Sequence, residues 1–395
     1  MSQCLSFQFR IYPTVKQAIA LDRVLWLQRE LFNVALEERR GAWRWERRSV
    51  GYVQQCRTLT ELREVRPEVL EFGVTVCRGT LMRLDRAYKG FFRRCQRGEK
   101  PGYPRFKSRS RFNSLQWEDT KSWKLKTETR RLYLQGIGDV KVHLHREVKG
   151  TPKAITVKRE GRRWLVSIRC TGVDPVPLAP TGREVGIDLG VVNLVATSDG
   201  RLVDEGRFGR NGAAALAKAQ RDLKSKRKGS NRRRRAVERV AEHHRRVRNQ
   251  RRDLAHKVSR QLVDDYDLIV LEDLKVVSMV RRPKPRPCPD GTFEPNGANA
   301  KSGLNRSIHD AGWGQLARML AYKAEDAGRE LRVVAPQFTS QRCSRCEHTD
   351  EASRRSQAVF RCMACGFGAH ADINAACNVL WAGRAQRALG PRRVN

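Results

Sequence analysis

The sequence predicts a multidomain α/β protein. A small antiparallel β unit with helices inserted into it should precede a mixed α/β unit that carries a metal-binding insert. Three observations carry that expectation. Two C-x-x-C pairs, Cys343/Cys346 and Cys362/Cys365, are separated by 15 residues (347–361), the spacing of a four-thiolate zinc site. Three acids stand in structured contexts far apart in the chain: Asp188 inside an apolar strand pattern, Glu272 at the end of another, and Asp372 at the start of an apolar-periodic helix. Strand-type alternation recurs over 4–12 and 132–168, whereas helical spacing dominates between them up to residue 97.

The 395 residues suffice for two or three domains with a sizeable core. Lys and Arg number 80 against 42 Asp and Glu, a formal net charge of +38 spread along the chain. So basic a chain needs a polyanionic partner or it repels itself. Nucleic acid comes first, because phosphate neutralisation supplies most non-specific affinity. A membrane surface is the competing partner. However, no secretory leader is expected, and no apolar run approaches the ~20 residues of a span. A soluble cytoplasmic protein, nucleoid-associated when bound and monomeric, is therefore expected. The seven other cysteines (Cys4, Cys56, Cys77, Cys95, Cys170, Cys288, Cys377) are scattered. They suit a reducing compartment, where disulfides are rare, and should pack as small apolar side chains.

Cys4 to Tyr12 alternates as a strand and Pro13 stops it. Thr14 with Gln17 forms a capping box that opens a long helix bearing Ile19, Val24, Leu25, Leu27, Leu31 and Leu36. A second helical region, 58–97, is interrupted near Pro67 and sets Leu81, Leu84, Tyr88, Phe91 and Phe92 beside arginines. This bundle either solvates its basic face or grips a phosphate backbone, and the net charge favours the grip. The loop 101–111 interleaves Tyr103 and Phe106 with Arg105 and Lys107, so that rings can stack on bases while cations hold phosphates. Strand patterns at Leu132–Leu134, Val140–Leu144, Ala154–Val157 and Trp164–Ile168 then predict a β barrel or sandwich that the first strand joins. The proline-rich 173–181 is the expected boundary.

Val185–Gly190 opens the second unit as a buried strand with an acid in it, and a Ser198-Asp199-Gly200 turn joins the next two strands. A strongly basic helical stretch, about 212–262, follows. Arg232, Arg233, Arg234, Arg235, Arg245 and Arg246 are its candidate phosphate contacts, since a fully solvated face of this charge would repel itself. Asp267–Glu272 reads as a buried strand ending in an acid, 281–305 as a mobile loop, and Asp310 as the cap of a helix over 311–327. A strand at 331–335 leads to the cysteines, the Asp372 helix and a basic tail expected to be disordered.

Four thiolates can close a tetrahedral shell and leave no open position, so one zinc ion would be structural. A carboxylate among apolar strand residues is costly unless paired or metal-bound. Three such acids suit a pair of Mg²⁺ ions, which prefer oxygen ligands. Strand acid, hairpin, helices, strand acid, helix acid is the order of an RNase H-like nuclease. Asp-x-Gly after a strand also occurs in actin-like ATPases. The strand ending in Glu272 also has the look of a Walker B strand, but no Walker A motif precedes it. Asp265, Asp267 and Asp273 read as solvated or capping, and His370 as an exposed loop residue.

At these residues the chain resembles the TnpB (OrfB) family of insertion-sequence RNA-guided nucleases, related to the type V CRISPR effectors. The shared segments are F-R-I-Y-P-T (9–14), Y-P-R-F-K (103–107), G-I-D-L-G (186–190), L-E-D-L-K (271–275), D-A-G-W-G (310–314), the cysteine pairs and D-I-N-A-A (372–376). The resemblance implies a split RuvC-like nuclease (182–338 and 369–395) around a zinc-ribbon module (339–368). Before it would come a β-barrel wedge domain (1–12 and 101–175) with an inserted helical recognition domain (13–100). It implies Asp188, Glu272 and Asp372 as catalytic Mg²⁺ ligands, a transposon-derived guide RNA, and cleavage of double-stranded target DNA beside a short adjacent motif. A compact CRISPR-associated effector and a transposase acting on transposon ends are the alternatives. Glu347, where the family often has Gly, and a long 281–305 are departures that spare the acids and the thiolates.

Overall fold

The computed structural model describes residues 3–388. The chain divides at Asp174/Pro175 into two compact units. In the first, β1 (Gln3–Tyr12) leads into α1 (Val15–Glu46), α2 (Tyr52–Val65), a 3₁₀ turn at Pro67–Leu70 and α3 (Val74–Gln96). The capping box is present: Thr14 Oγ1 accepts from Gln17 N, and Gln17 Oε1 accepts from Thr14 N. Strands β2 (Ser114–Trp117), β3 (Trp123–Lys126), β4 (Arg131–Leu134), β5 (Gly138–His143), β6 (Thr151–Glu160) and β7 (Arg163–Val173) complete an antiparallel sheet ordered β2-β6-β7-β1-β5-β4-β3. The first strand thus lies between β7 and β5, with Phe9 opposite Val166 and Ile11 opposite Trp164. Strands β2 and β3 are additions to the expected set, because Ser114–Trp117 and Trp123–Lys126 are short and carry little β-branched signal. Helices and sheet share one core, in which Leu21, Val24, Leu81 and Leu84 pack with Phe9, Ile11, Val140 and Val166.

The second unit is built on a mixed sheet of β8 (Glu184–Asp188), β9 (Asn193–Thr197), β10 (Leu202–Asp204), β11 (Leu268–Glu272) and β12 (Glu330–Val334), in the order β10-β9-β8-β11-β12. The first three form an antiparallel meander, and β11 runs parallel to both β8 and β12. Between β10 and β11 the basic stretch forms two helices, α4 (Phe208–Lys224) and α5 (Asn231–Asp265). Ser230 caps α5 by accepting from Arg233 N. After β11 come the short α6 (Val276–Met279), α7 (Ala298–Ala311) and α8 (Trp313–Asp326). Asp267 accepts the amides of Thr181 and Gly182, which hold its carboxyl below the usual range, and it pairs with Arg329.

Two expectations are corrected here. The stretch 281–305 is not all loop, since α7 begins at Ala298, after Asn296 Oδ1 accepts the Ala298 amide. Asp310 does not cap the following helix. It lies in the last turn of α7, and α8 starts only after Gly312, whose φ of 69° breaks the helix. The Asp310 carboxylate instead accepts Gly209 N and Arg210 N at the start of α4 and pairs with Arg251, so it caps a helix distant in sequence. Beyond β12 lie the hairpin β13 (Val359–Arg361) and β14 (Gly368–His370), then α9 (Ala371–Ala388). The basic tail expected to be disordered lies beyond α9, outside the described residues. No described helix is long and apolar enough to cross a membrane.

Candidate active site and zinc centre

Strand register brings two of the acids together. Leu271 of β11 pairs with Ile187 of the parallel β8, so Glu272 and Asp188 follow side by side at the carboxyl ends of both strands. Ligands of open α/β sheets bind at such ends. Side chains alternate across the sheet. Val185, Ile187, Ile269 and Leu271 face a core shared with Leu262 and Leu316. Gly186 and Val270, in phase with the two acids, face α9, and Val270 packs with Val379 there.

Helix α9 supplies the third acid. It lies so close that a Cβ at Gly186 would stand 2.0 Å from Ala376 O, and one at Gly383 2.5 Å from a Val270 methyl. This contact needs glycine at both places. It sets Asp372, in the first turn and 5% exposed, over the strand ends. Asn193 Nδ2 lies 3.3 Å from Asp372 Oδ2, and Arg354 Nη2 lies 3.3 Å from Asp372 Oδ1. Thr339 Oγ1 donates to Glu272 Oε1 at 2.6 Å. Asp188 is pushed up to about 7, first by burial and then by the carboxylates of Glu272 and Asp372, with Arg354 pulling the other way. Burial also raises Glu272, against the Thr339 hydroxyl. Like charges gathered out of water favour a bound cation. The donors are carboxylate oxygens without thiolate or imidazole in the set, which suits a hard ion such as Mg²⁺. Asp273 belongs to no such cluster and is exposed. His370, expected to be an exposed loop residue, is half-buried in β14, and its Nδ1 accepts the Asp372 amide.

The four cysteines fit zinc by geometry. Their sulfurs lie within 4.8 Å of one another, with Cys343 to Cys365 at 3.8 Å and Cys346 to Cys362 at 3.5 Å. A tetrahedron with Zn–S bonds of ~2.3 Å has edges of ~3.8 Å. Both knuckles are built alike: Cys343 N donates to His348 O and Glu347 N to Cys343 O, while Cys362 N donates to Phe367 O and Gly366 N to Cys362 O. The residue after the second cysteine is left-handed in each, Gly366 at φ 70° and Glu347 at φ 65°. Glu347 therefore occupies a glycine conformation. Amides of Cys365 and Ala364 draw the Cys362 thiol down to about 6. Phe360, fully buried against Cys343, Cys362 and Ala371, fills the module's interior.

The candidate nucleic-acid contacts fall into two groups. Tyr103 is 43% exposed and meets Tyr88 and Phe91 edge-on. Arg105 is exposed, whereas Lys107 has its backbone bound by Asn33 and its ammonium 5.6 Å from the Phe32 ring. On α5, Arg232, Arg234, Arg235 and Arg246 are exposed. Arg233 instead donates to Leu223 O and Lys226 O at the end of α4, and Arg245 pairs with Glu242. Sequence reasoning missed Asn193, Thr339 and Arg354, because their partners are distant in the chain.

The chain is similar to known proteins along most of its length. Residues 167–282 match the OrfB_IS605 family model, described as "Probable transposase", and 313–379 match "Cas12f1-like, TNB domain". Residues 1–48, here β1 and α1, match a model described as "Helix-turn-helix domain". "Putative RNA-guided DNA endonuclease InsQ" of Escherichia coli (strain K12) is 33% identical over 394 residues, 99% of this chain and 95% of that one. A "Putative RNA-guided DNA endonuclease" of Streptomyces pristinaespiralis is 33% identical over 98% of this chain and 90% of its own. The fold is similar to that in a "Cryo-EM structure of the Cas12f1-sgRNA-target DNA complex", with TM-score 0.56, 13% identity, and coverage of 96% and 98%. With relatives this similar along nearly their whole length, the chain belongs to the TnpB family, whose members are named RNA-guided DNA endonucleases.

Proposed function

We propose that this chain is an RNA-guided, Mg²⁺-dependent DNA endonuclease with a RuvC-like site formed by Asp188, Glu272 and Asp372. The observation that carries the reading is the meeting of three carboxylates from β8, β11 and α9 on one face of the sheet, in a chain of net charge +38. When two Mg²⁺ ions are bound, they supply an activated water and neutralise the leaving oxygen of a phosphodiester. Asp188, Glu272 and Asp372 would hold them, and Asn193 and Thr339 would fix the orientation of two of the carboxylates. The thiolate module would hold one structural zinc. Exposed arginines of α5 and the Tyr103–Lys107 loop would meet the phosphates and bases of guide and target.

The finer division follows the same reading: a wedge (1–12 and 101–175), a recognition insert (13–100), the nuclease (182–338 and 369–395) and the zinc module (339–368). The first unit, which holds none of the three acids, would read the motif beside the target. Exchange of residues 1–173 with those of a relative should carry motif preference along. Preference that stays with the nuclease half would refute the assignment.

A transposase reading draws on the description of the matched family model. A CRISPR-effector reading draws on a Cas12f1 of Sulfoacidibacillus thermotolerans, 50% identical but over only 64 residues. Sequencing the RNA that co-purifies with the protein, and then cleaving plasmid matched to it with Mg²⁺, separates all three. A guide ending in transposon sequence supports the proposal, one ending in a CRISPR repeat supports the effector, and strand joining without any RNA supports the transposase.

A further inference from the structure

Helix α9 carries a second stripe of side chains, on a different face from the one that rests on the sheet. Asn374, Asn378 and Trp381 recur at i, i+4 and i+7, so they lie one above another. All three engage the segment 339–344 that leads into the first zinc knuckle. Asn374, 1% exposed, uses both ends of its amide: Oδ1 accepts from Ser344 N at 2.9 Å, and Nδ2 donates to Arg342 O at 2.8 Å. Asn378, 5% exposed, donates to Thr339 O at 2.9 Å and to Arg342 O at 2.7 Å. The Arg342 guanidinium sits 3.7 Å from the centre of the Trp381 ring. Thr339 also holds Glu272 through its hydroxyl at 2.6 Å. One short segment is thus tied to the helix that bears Asp372 and to the carboxylate of Glu272.

We infer that Asn374, Asn378 and Thr339 are positioning residues, which clamp the first zinc knuckle to α9 and thereby hold Asp372 and Glu272 in register for a divalent ion. The inference rests on the proposed role of the three acids. The physical reason for asparagine is specific. The carbonyls of Thr339 and Arg342 need donors, and the Ser344 amide needs an acceptor, where they meet the buried amides of Asn374 and Asn378. An apolar residue at 374 would leave the Ser344 amide without its acceptor and one at 378 the Thr339 carbonyl without its donor, while Arg342 O would keep one of its two donors; an aspartate cannot donate. A buried amide satisfies both kinds of group and fixes the distance between knuckle and helix. Thr339 is a direct outer partner of the Glu272 carboxylate, and the two asparagines act through the segment that carries it; loss of such a partner lowers metal affinity or activity by ~10–100-fold.

The test uses the full chain with its co-purified RNA. Asn374→Asp, Asn378→Asp, Thr339→Val and Thr339→Ser are compared with Asp188→Ala for zinc content, guided DNA binding, cleavage, and Mn²⁺ affinity by electron paramagnetic resonance. Both Asn variants and Thr339→Val should bind Mn²⁺ ~10–100-fold more weakly and need correspondingly more Mg²⁺ to cut. One zinc per chain and wild-type guided binding should remain, and Thr339→Ser should restore Mn²⁺ affinity and cutting. If Asp188→Ala is inactive while all three variants bind Mn²⁺ and cut as wild type, the positioning role is wrong. If they lose zinc and guided binding together with cutting, and Thr339→Val behaves no differently from Thr339→Ser, the role is structural and the inference fails. Robust cutting by Asp188→Ala removes the reading of the acids, and this inference with it.

Discussion

Replacing Gly186 by alanine tests how α9 delivers Asp372. The added Cβ would stand 2.0 Å from Ala376 O, 2.5 Å from Leu380 N and 2.8 Å from Leu380 Cβ. Two of those atoms belong to the helix backbone, so no rotamer change relieves the clash. Ordinary contact begins near 3.4 Å, so α9 must lift by about 1.4 Å. Overpacking of this kind costs about 1–3 kcal/mol of stability. The same lift moves Asp372 relative to Asp188 and Glu272, which remain on their strands. Misplacement by ~1 Å lowers catalysis by about 10²-fold. We therefore expect Gly186→Ala to cut guide-matched plasmid at least ~10²-fold more slowly at saturating Mg²⁺, while still binding the target through contacts elsewhere. Urea unfolding of the same protein reads the stability loss. Gly303→Ala is the control: its Cβ meets nothing within 4 Å in helix α7, and it should gain up to ~1 kcal/mol. Wild-type cutting by Gly186→Ala would show that the close seat of α9 on β8 does not set the site.

Asp188→Ala, Glu272→Ala and Asp372→Ala should each abolish cleavage about as completely as the triple variant, because residues acting as one unit are not additive. Guided binding should survive and Asp273→Ala should still cut; loss of binding in all three would mean that the acids are structural. Elemental analysis should find about one zinc per chain, retained under chelation that strips Mg²⁺, and Cys362→Ser should lower yield and stability before it alters affinity. Folded, fully active zinc-free protein refutes this. Arg233→Ala should cost about 1–3 kcal/mol, because two carbonyls at the end of α4 are left without their charged donor. Ala at Arg232, Arg234 and Arg235 should leave stability unchanged but flatten the dependence of log affinity on log salt, by about 0.7–0.9 for each phosphate no longer neutralised. The reverse pattern would mean that the two groups of arginines have been exchanged.

Local signals account for what the sequence alone reveals of the fold. The Thr14/Gln17 capping box opens α1, and β1 and β7 alternate along most of their length as half-buried strands do. The two helix corrections have different causes. Asp310 stands before Ala-Gly-Trp as a local cap would, yet its carboxylate serves the amides of Gly209 and Arg210, about a hundred residues away in the chain. Helix α7 is hidden because its start follows a run of Pro, Gly and Asn, in which Asn296 accepts the Ala298 amide. The capping chemistry of Asp310 is legible locally, but the helix it serves is chosen by tertiary packing.

The acids are visible because an ionised group in an apolar strand is anomalous by itself. Asp188 among Val185, Ile187 and Leu189 needs explaining whatever surrounds it. No such anomaly marks Thr339, Asn374 or Asn378. A threonine before a cysteine knuckle and two asparagines in a helix near Asp372 read as ordinary surface or capping residues, since asparagine and threonine in helices are usually solvated. Their meaning lies in the carbonyls of Thr339 and Arg342, which no side-chain pattern discloses. Arg354 is the intermediate case. Its charge counts in the basic surplus, but its place beside Asp372, in the stretch between the two cysteine pairs, gives it a local function that bulk charge does not. The four-cysteine segment therefore contributes more than a stable fold. Its segments supply the hydroxyl on Glu272, the guanidinium on Asp372 and the turn that α9 grips. The geometry of the acidic cluster thus depends on a module that is remote in sequence from both strand-borne acids and immediately precedes the helix that carries the third.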